Sequence, residues 1–402
     1  MTLRTLIPVA ALVGAGFVAP RPVADESPFV KGLKPGEREK ILYVWTRDAD
    51  HQQSDLLAVV DVDPQSETFG EIIATAPTGS AANEVHHFGY NVDANRIFGG
   101  AIATNTVYIY DVGTDPRNPS LIRQVQLDET GYTGPHSVFA VPGGVMLAML
   151  GAVGGGGPGA LVVLNDEGEF VEAYPVVNPD GSPGLMYDVG VKPAMNRMIT
   201  SAWAHPMHVM EGTHLEHAGK QAVVWDWEQK KVLQVEDLDA APFAVRWMHD
   251  PDARGVFVNA ALGNSVWYGE DDDGDGVMAF HRVLSLPDGS VPVDMRVSYD
   301  DRFLYLTLWA GGKVQQYDIA DPMSPKLLTE VPLPQPNMMS LSPDSRRLYV
   351  TNSILSGMDG DVEFGAWLLH VGPDGMRVDP DFHPDFKGLP NGAGAPHDML
   401  LK

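Results

Sequence analysis

Histidine is the side chain through which this sequence is equipped to do chemistry. The chain has 13 histidines and no cysteine. Without thiols there is no disulfide, thiolate nucleophile, iron–sulfur cluster, cysteine zinc site or blue-copper centre. Any metal would have to be held by His, Asp, Glu, Met or backbone oxygen. Adjacent His86 and His87, then His136, and His397 near the C-terminus are the leading candidates. Imidazoles with no thiolate beside them suit copper, zinc or iron.

The elements that must position these residues repeat. A short apolar run, a turn rich in Asp, Asn, Gly and Arg, and two further runs recur along the chain. The turns at 93–96, 142–144, 195–197, 252–254, 300–302 and 345–347 are each followed by a β-prone run such as RIFGGAI, VMLAML or FLYLTLWA. Units begin near Ile41, Glu84, Gly134, Met186, Phe243, Val291 and Asn337, and the first lacks its leading strand. Seven units spaced roughly 43 to 57 residues apart, with about four strands each, predict an all-β fold, a seven-bladed β-propeller. The final PHDMLLK is expected to return to the first blade and close the ring. A two-domain sandwich protein is the other architecture these strands allow.

In a propeller the first strand of each unit lines the channel, and the starts of these strands gather at one mouth. The residues expected there are His86, His87, His136, Asp188, Arg246, Asp294 and Met338, with His397 joining from the closing segment. Packing alone asks for apolar residues at such positions. A cluster of histidines and carboxylates reads as a metal site, against the plainer reading of solvated channel side chains.

Other motifs carry less. Gly154-x-Gly156-x-x-Gly159 is followed by the strand ALVVLN, where a dinucleotide fingerprint needs a helix. Asp271, Asp273 and Asp275 open like a calcium loop, but position 12 is Arg282, so a solvated hairpin turn is expected over a calcium site. His205, His208, His214 and His217 show two His-x-x-His spacings without a capping pattern; a loop over the ring is expected, in the role of a lid.

Several segments resemble the selenium-binding protein / methanethiol oxidase family. They include LAVVDVDP at 57–64, EVHH at 84–87, IYDVG at 109–113, Tyr187-Asp188, VWDW at 224–227, RWMHDPDA at 246–253, DDRFLY at 300–305 and His397-Asp398-Met399. The resemblance spans nearly all of the chain after its first residues. It implies a seven-bladed propeller that uses copper, with zinc or another first-row metal as the alternative. It implies oxidation of methanethiol by O2 to formaldehyde, hydrogen sulfide and hydrogen peroxide, in the periplasm for bacterial members. His86, His87, His136 and His397 would be ligands. His249 also matches, although its register lies three residues deeper than the mouth. Asp398 and Asp250 become candidates for orienting imidazoles or moving protons. The chain departs from the family where Gly70 replaces a cysteine linked to selenium binding, so selenium cannot be held through that thiol. It departs again at Trp309-Ala310-Gly311-Gly312, where a histidine is missing, at His136-Ser137-Val138-Phe139, and at Asp398 in place of Glu.

Composition narrows the partners. Hydrophobic residues make up 44%, enough for a large core, and the formal charge is −26, which repels phosphate backbones and anionic lipid. A small thiol and O2 are the expected partners, with no nucleic acid and no membrane insertion of the mature chain. Arg4 precedes an uncharged run over 5–20, too short to span a bilayer, and residues 1–24 are expected to be a signal peptide. Export to the periplasm or the medium follows. A linker over 25–40 and one propeller domain over 41–402 complete the expected organisation. Two other function classes fit these features: a metal-dependent, lactonase-like hydrolase, and a metal- or partner-binding propeller without catalysis.

Overall fold

The computed structural model describes residues 27–33, 37–204, 208, 215–390 and 392–402. Seven antiparallel sheets of four strands surround a channel. Apart from the single helical residue His208, the helices among the described residues are short 3-10 turns, such as Pro193–Met195. No described helix is long and apolar enough to cross a membrane.

The recurring turns are legible as backbone chemistry. Asn196, Asp301 and Gly143 take left-handed φ angles of 53°, 59° and 92° within two residues of the start of a strand. Asn, Asp and Gly tolerate that region best. Ala94 and Ser345 adopt it at the equivalent places, at φ 50° and 55°.

Burial follows position in the blade. In blade 2 (85–126), the strand Val85–Tyr90 is wholly buried, and Arg96–Ala101 and Thr106–Asp111 nearly so. The outermost strand, Ser120–Gln126, is mostly exposed. Inner strands are sandwiched between neighbouring blades. One such inter-blade core joins Met146 and Leu161 of blade 3 (132–175) to Met198, Val223 and Trp225 of blade 4 (189–237).

Ring closure uses the two ends of the chain. The last strand, Gly394–Leu401, is the innermost strand of blade 1, pairing Leu401 with Leu42 and Asp398 with Trp45 of Ile41–Asp48. Described residues ahead of the first strand are tied down at 27, 31 and 39. Ser27 Oγ donates to the Ala140 carbonyl at 2.7 Å, and Lys31 N–H to the Val92 carbonyl at 2.7 Å. The buried Glu39 carboxylate accepts from Arg347 Nη2 at 2.8 Å and Tyr349 Oη at 3.0 Å, fastening this segment to blade 7 (339–378). The expected signal peptide, 1–24, lies outside the described residues.

Candidate metal centre

The histidines sit on irregularities of the sheet. Pairing of the inner strand with its neighbour slips between Val85 and Phe88 in blade 2, and between Pro135 and Val138 in blade 3. In blade 1 it slips between Trp45 and Thr46. The residues passed over are His86 and His87, His136 and Ser137, and His397. An extra residue re-aims side chains that strict alternation would send to opposite faces. That is how two consecutive histidines join one cluster. The same slip recurs at Phe243-Ala244 in blade 5 (242–285) and at Val293 in blade 6 (292–332). The bulge therefore belongs to the fold, and histidine at it belongs to the site. Gly100, opposite the His86-His87 bulge, is required by close approach. A Cβ there would lie 2.9 Å from the Pro135 carbonyl oxygen and 3.3 Å from that of His87.

The four rings converge. Ring centroids are 3.7 Å apart for His86 and His397, 4.2 Å for His87 and His136, 4.5 Å for His86 and His87, and 4.8 Å for His86 and His136. One nitrogen from each of His86, His87 and His397 falls within 4.8 Å of the others. All four side chains are buried. The Nε2 atoms of His86, His136 and His397 are buried with no hydrogen-bond partner. Orphaned polar atoms are rare in protein interiors, and three in one cluster fit a first-row metal ion as their common partner.

Tautomers are set from behind. His87 Nδ1 lies 2.9 Å from Asp398 Oδ2, and His397 Nδ1 lies 2.8 Å from the Ser353 carbonyl oxygen. An ionised carboxylate and a carbonyl only accept, so both Nδ1 atoms donate and both Nε2 atoms are turned away from these partners. Burial raises the Asp398 pKa, but the His87 hydrogen bond and nearby imidazoles outweigh it and hold the carboxyl below its usual range. Burial first, then the neighbouring imidazoles, holds His86 and His136 well below the usual histidine value. Burial and His87 push His397 down to about 3. Neutral imidazoles are the form that binds metal.

The remaining mouth residues divide by depth. Tyr187 stands 3.8 Å from His136 and stacks 4.3 Å from Phe243. Below them Arg246 bridges Asp188 at 2.7 Å and Asp294 at 2.8 Å, and Arg296 adds a 2.7 Å contact to Asp294. Ser137 Oγ links this network to the cluster, donating to Asp188 Oδ1 at 2.7 Å. A cavity of about 80 Å³ lies in the channel, touching His87, His136 and Asp398.

Thus His86, His87, His136, His397 and Asp398 come together. His249 and Asp250 do not. They follow the end of the blade-5 inner strand Pro242–Trp247, whereas the cluster sits near strand starts, so the length of a strand separates them along the channel (six residues, roughly 20 Å). His249 Nε2–H donates to the Val297 carbonyl at 3.1 Å, and the exposed Asp250 donates its N–H to Asp301 Oδ2 at 2.7 Å. His208 and His217 stack at 3.7 Å, while His205 and His214 lie outside the described residues. Asp271, Asp273 and Asp275 gather on a hairpin, where Asp271 pairs with Arg254. Gly70 has φ +81° at the end of blade 1 away from the histidines, against the backbone of Phe382. Sequence reasoning missed Ser353, which holds His397 through a carbonyl that no side-chain motif announces.

A seven-bladed propeller with a buried polyhistidine centre defines the class. Within it the chain belongs to the 56kDa selenium binding protein (SBP56) family, whose match covers residues 25–402. It is 31% identical to a methanethiol oxidase of Hyphomicrobium sp, over 96% of this chain and 93% of that one. It is also 31% identical to a methanethiol oxidase of Ruegeria pomeroyi, over 94% and 93%. A hypothetical selenium-binding protein of Sulfolobus tokodaii superposes with a TM-score of 0.84 at 26% identity, over 91% of this chain and 94% of that one.

Proposed function

We propose that the protein is a copper-dependent oxidase of methanethiol or a related small thiol. In the overall change, methanethiol, dioxygen and water, one of each, give one formaldehyde, one hydrogen sulfide and one hydrogen peroxide. Carbon loses two electrons and dioxygen gains two. The observation that carries this reading is the trio of buried, unpartnered Nε2 atoms in a family whose relatives bear the name methanethiol oxidase. Bound copper would supply a soft acceptor for sulfur and a redox couple for O2. His86, His87, His136 and His397 would hold it.

The chain's own residues do the rest. Asp398 keeps the His87 proton on Nδ1 and fixes the ring. The Ser353 carbonyl does the same for His397. The small cavity beside His87 and His136 limits the water that reaches the site.

Oxygen uptake on adding methanethiol, with formaldehyde and sulfide assayed in the same vessel, tests the reading. Copper-loaded protein should give both products in step with oxygen, and chelator-stripped protein neither. Equal rates in both samples, or metal-loaded protein that consumes no oxygen, would refute it.

We further propose export, on the strength of residues 1–24. A mature N-terminus past residue 24 in the periplasmic fraction is expected; full-length protein in the cytoplasm would contradict this.

A further inference from the structure

The equivalent strand starts form a ring around the channel, and the ring has two chemical halves. Blades 1, 2 and 3 contribute His397, His86, His87 and His136. Blades 4 to 7 contribute Tyr187, Phe243-Ala244, Val293 and Met338, and the paired charges Asp188, Arg246 and Asp294 follow them along the channel. Tyr187, Ala244, Val293 and Met338 line the same cavity as His87 and His136. The geometry points to these four residues as the wall that receives the alkyl group of the thiol and restricts it to one or two carbons. This inference rests on the oxidase reading proposed above.

Size is the first argument. The cavity is about 80 Å³, roughly half of the ~150 Å³ that an apolar cavity needs to take benzene. Rigidity is the second. Tyr187 is packed between His136 and Phe243, with Trp203 5.3 Å away. Ala244 N–H is fixed by Asn259 Oδ1 at 2.8 Å. Val293 is packed in the apolar cluster that includes Phe243, Ile354 and Leu355. The wall has little freedom to retreat from a longer chain. Polarity is the third. The charges that line the cavity are already engaged, Arg246 with Asp188 and Asp294, and Asp398 with His87. An ammonium or carboxylate would have to compete with these pairs, so cysteine and glutathione are disfavoured against a short alkyl thiol.

Copper-loaded wild type, Val293→Ala and Ala244→Val test this with methanethiol, ethanethiol, 1-propanethiol and cysteine. Anaerobic dissociation constants and kcat/KM are both measured, with copper per chain and circular dichroism recorded for each variant. Removing two methyl groups at Val293 should shift preference toward 1-propanethiol by about tenfold relative to methanethiol, the usual scale for one methylene in an apolar pocket. Adding two at Ala244 should shift it by a similar factor the other way. Copper content should stay at the wild-type level. If either variant holds copper and keeps the wild-type chain-length profile, or if wild type turns over cysteine as well as methanethiol, the alkyl wall is wrong while the oxidase reading stands. Wild type that binds none of these thiols would overturn both.

Discussion

The rings of His86 and His397 stack with centroids 3.7 Å apart and planes inclined by 25°. One lies on the inner strand of blade 2, the other on the last strand of the chain. That last strand closes the propeller by pairing with Ile41–Asp48. Closing the ring and assembling the centre are therefore one event. An ion held by both histidines ties the end of the chain to the second blade.

Copper should accordingly stabilise the fold. Anything that binds only the folded state adds RT ln(1 + [L]/Kd), about 2.7 kcal/mol at a hundredfold excess over Kd. Thermal unfolding with and without copper measures it. An unchanged midpoint at saturating copper would contradict a site that bridges blades 1 and 2.

Asp398→Asn should weaken copper binding by about 10–100-fold, the usual cost of losing the group behind a ligating imidazole. The amide can still accept the Phe88 N–H that Asp398 Oδ2 faces at 3.4 Å, so folding should survive. Competition titration against a chelator reads the affinity. Wild-type affinity in a folded variant would remove Asp398 from its role.

Gly100→Ala tests how closely the second strand of blade 2, Arg96–Ala101, approaches the inner strands of blades 2 and 3. Its Cβ meets the Pro135 and His87 carbonyl oxygens at 2.9 and 3.3 Å. Overpacking of this kind costs about 1–3 kcal/mol, and here it also displaces His87. Lower urea midpoints and weaker copper binding are expected together. A variant as stable as wild type would show that the strands move apart freely.

Metal-free protein should lose stability as pH falls below neutral. An unfolded histidine titrates near ~6.5. Burial first, then neighbouring imidazoles, lowers the folded values of His86 and His136, and His397 is pushed down to about 3. The unfolded state therefore takes protons first. Stability is full above ~6.5 and declines below it, for His397 until about pH 3, by about 1.4 kcal/mol per pH unit for each group. Urea unfolding at pH 7 and 5 gives the slope, and His136→Gln should reduce it by about one proton. A flat profile would mean that these rings ionise in the folded state.

The blades were legible in the sequence because five of the six recurring turns hold a left-handed residue ahead of a buried strand. Asn196 and Asp301 mark that position directly. His86, His87 and His136 were legible because their register, counted back from those turns, coincides in three-dimensional space. The bulges were not, since an extra residue in a strand leaves no compositional trace when its neighbours are equally apolar. His249, matched by likeness, lies apart from the four clustered rings, on the Val297 carbonyl, as its deeper register implies. Glu39 lay in what reads as a linker, yet its carboxylate is buried on Arg347. Such a partner, far away in sequence, is set by ring closure and not by local pattern.

The most direct measurement is copper per chain in wild type and His87→Ala, with circular dichroism on both. His87 is packed against the other imidazoles but borders the channel cavity and lies outside the inter-blade apolar cores, so the variant should keep the β spectrum. Wild type should hold close to one copper, and His87→Ala a small fraction of that. Equal copper in the two folded proteins would contradict a metal centre built on these histidines.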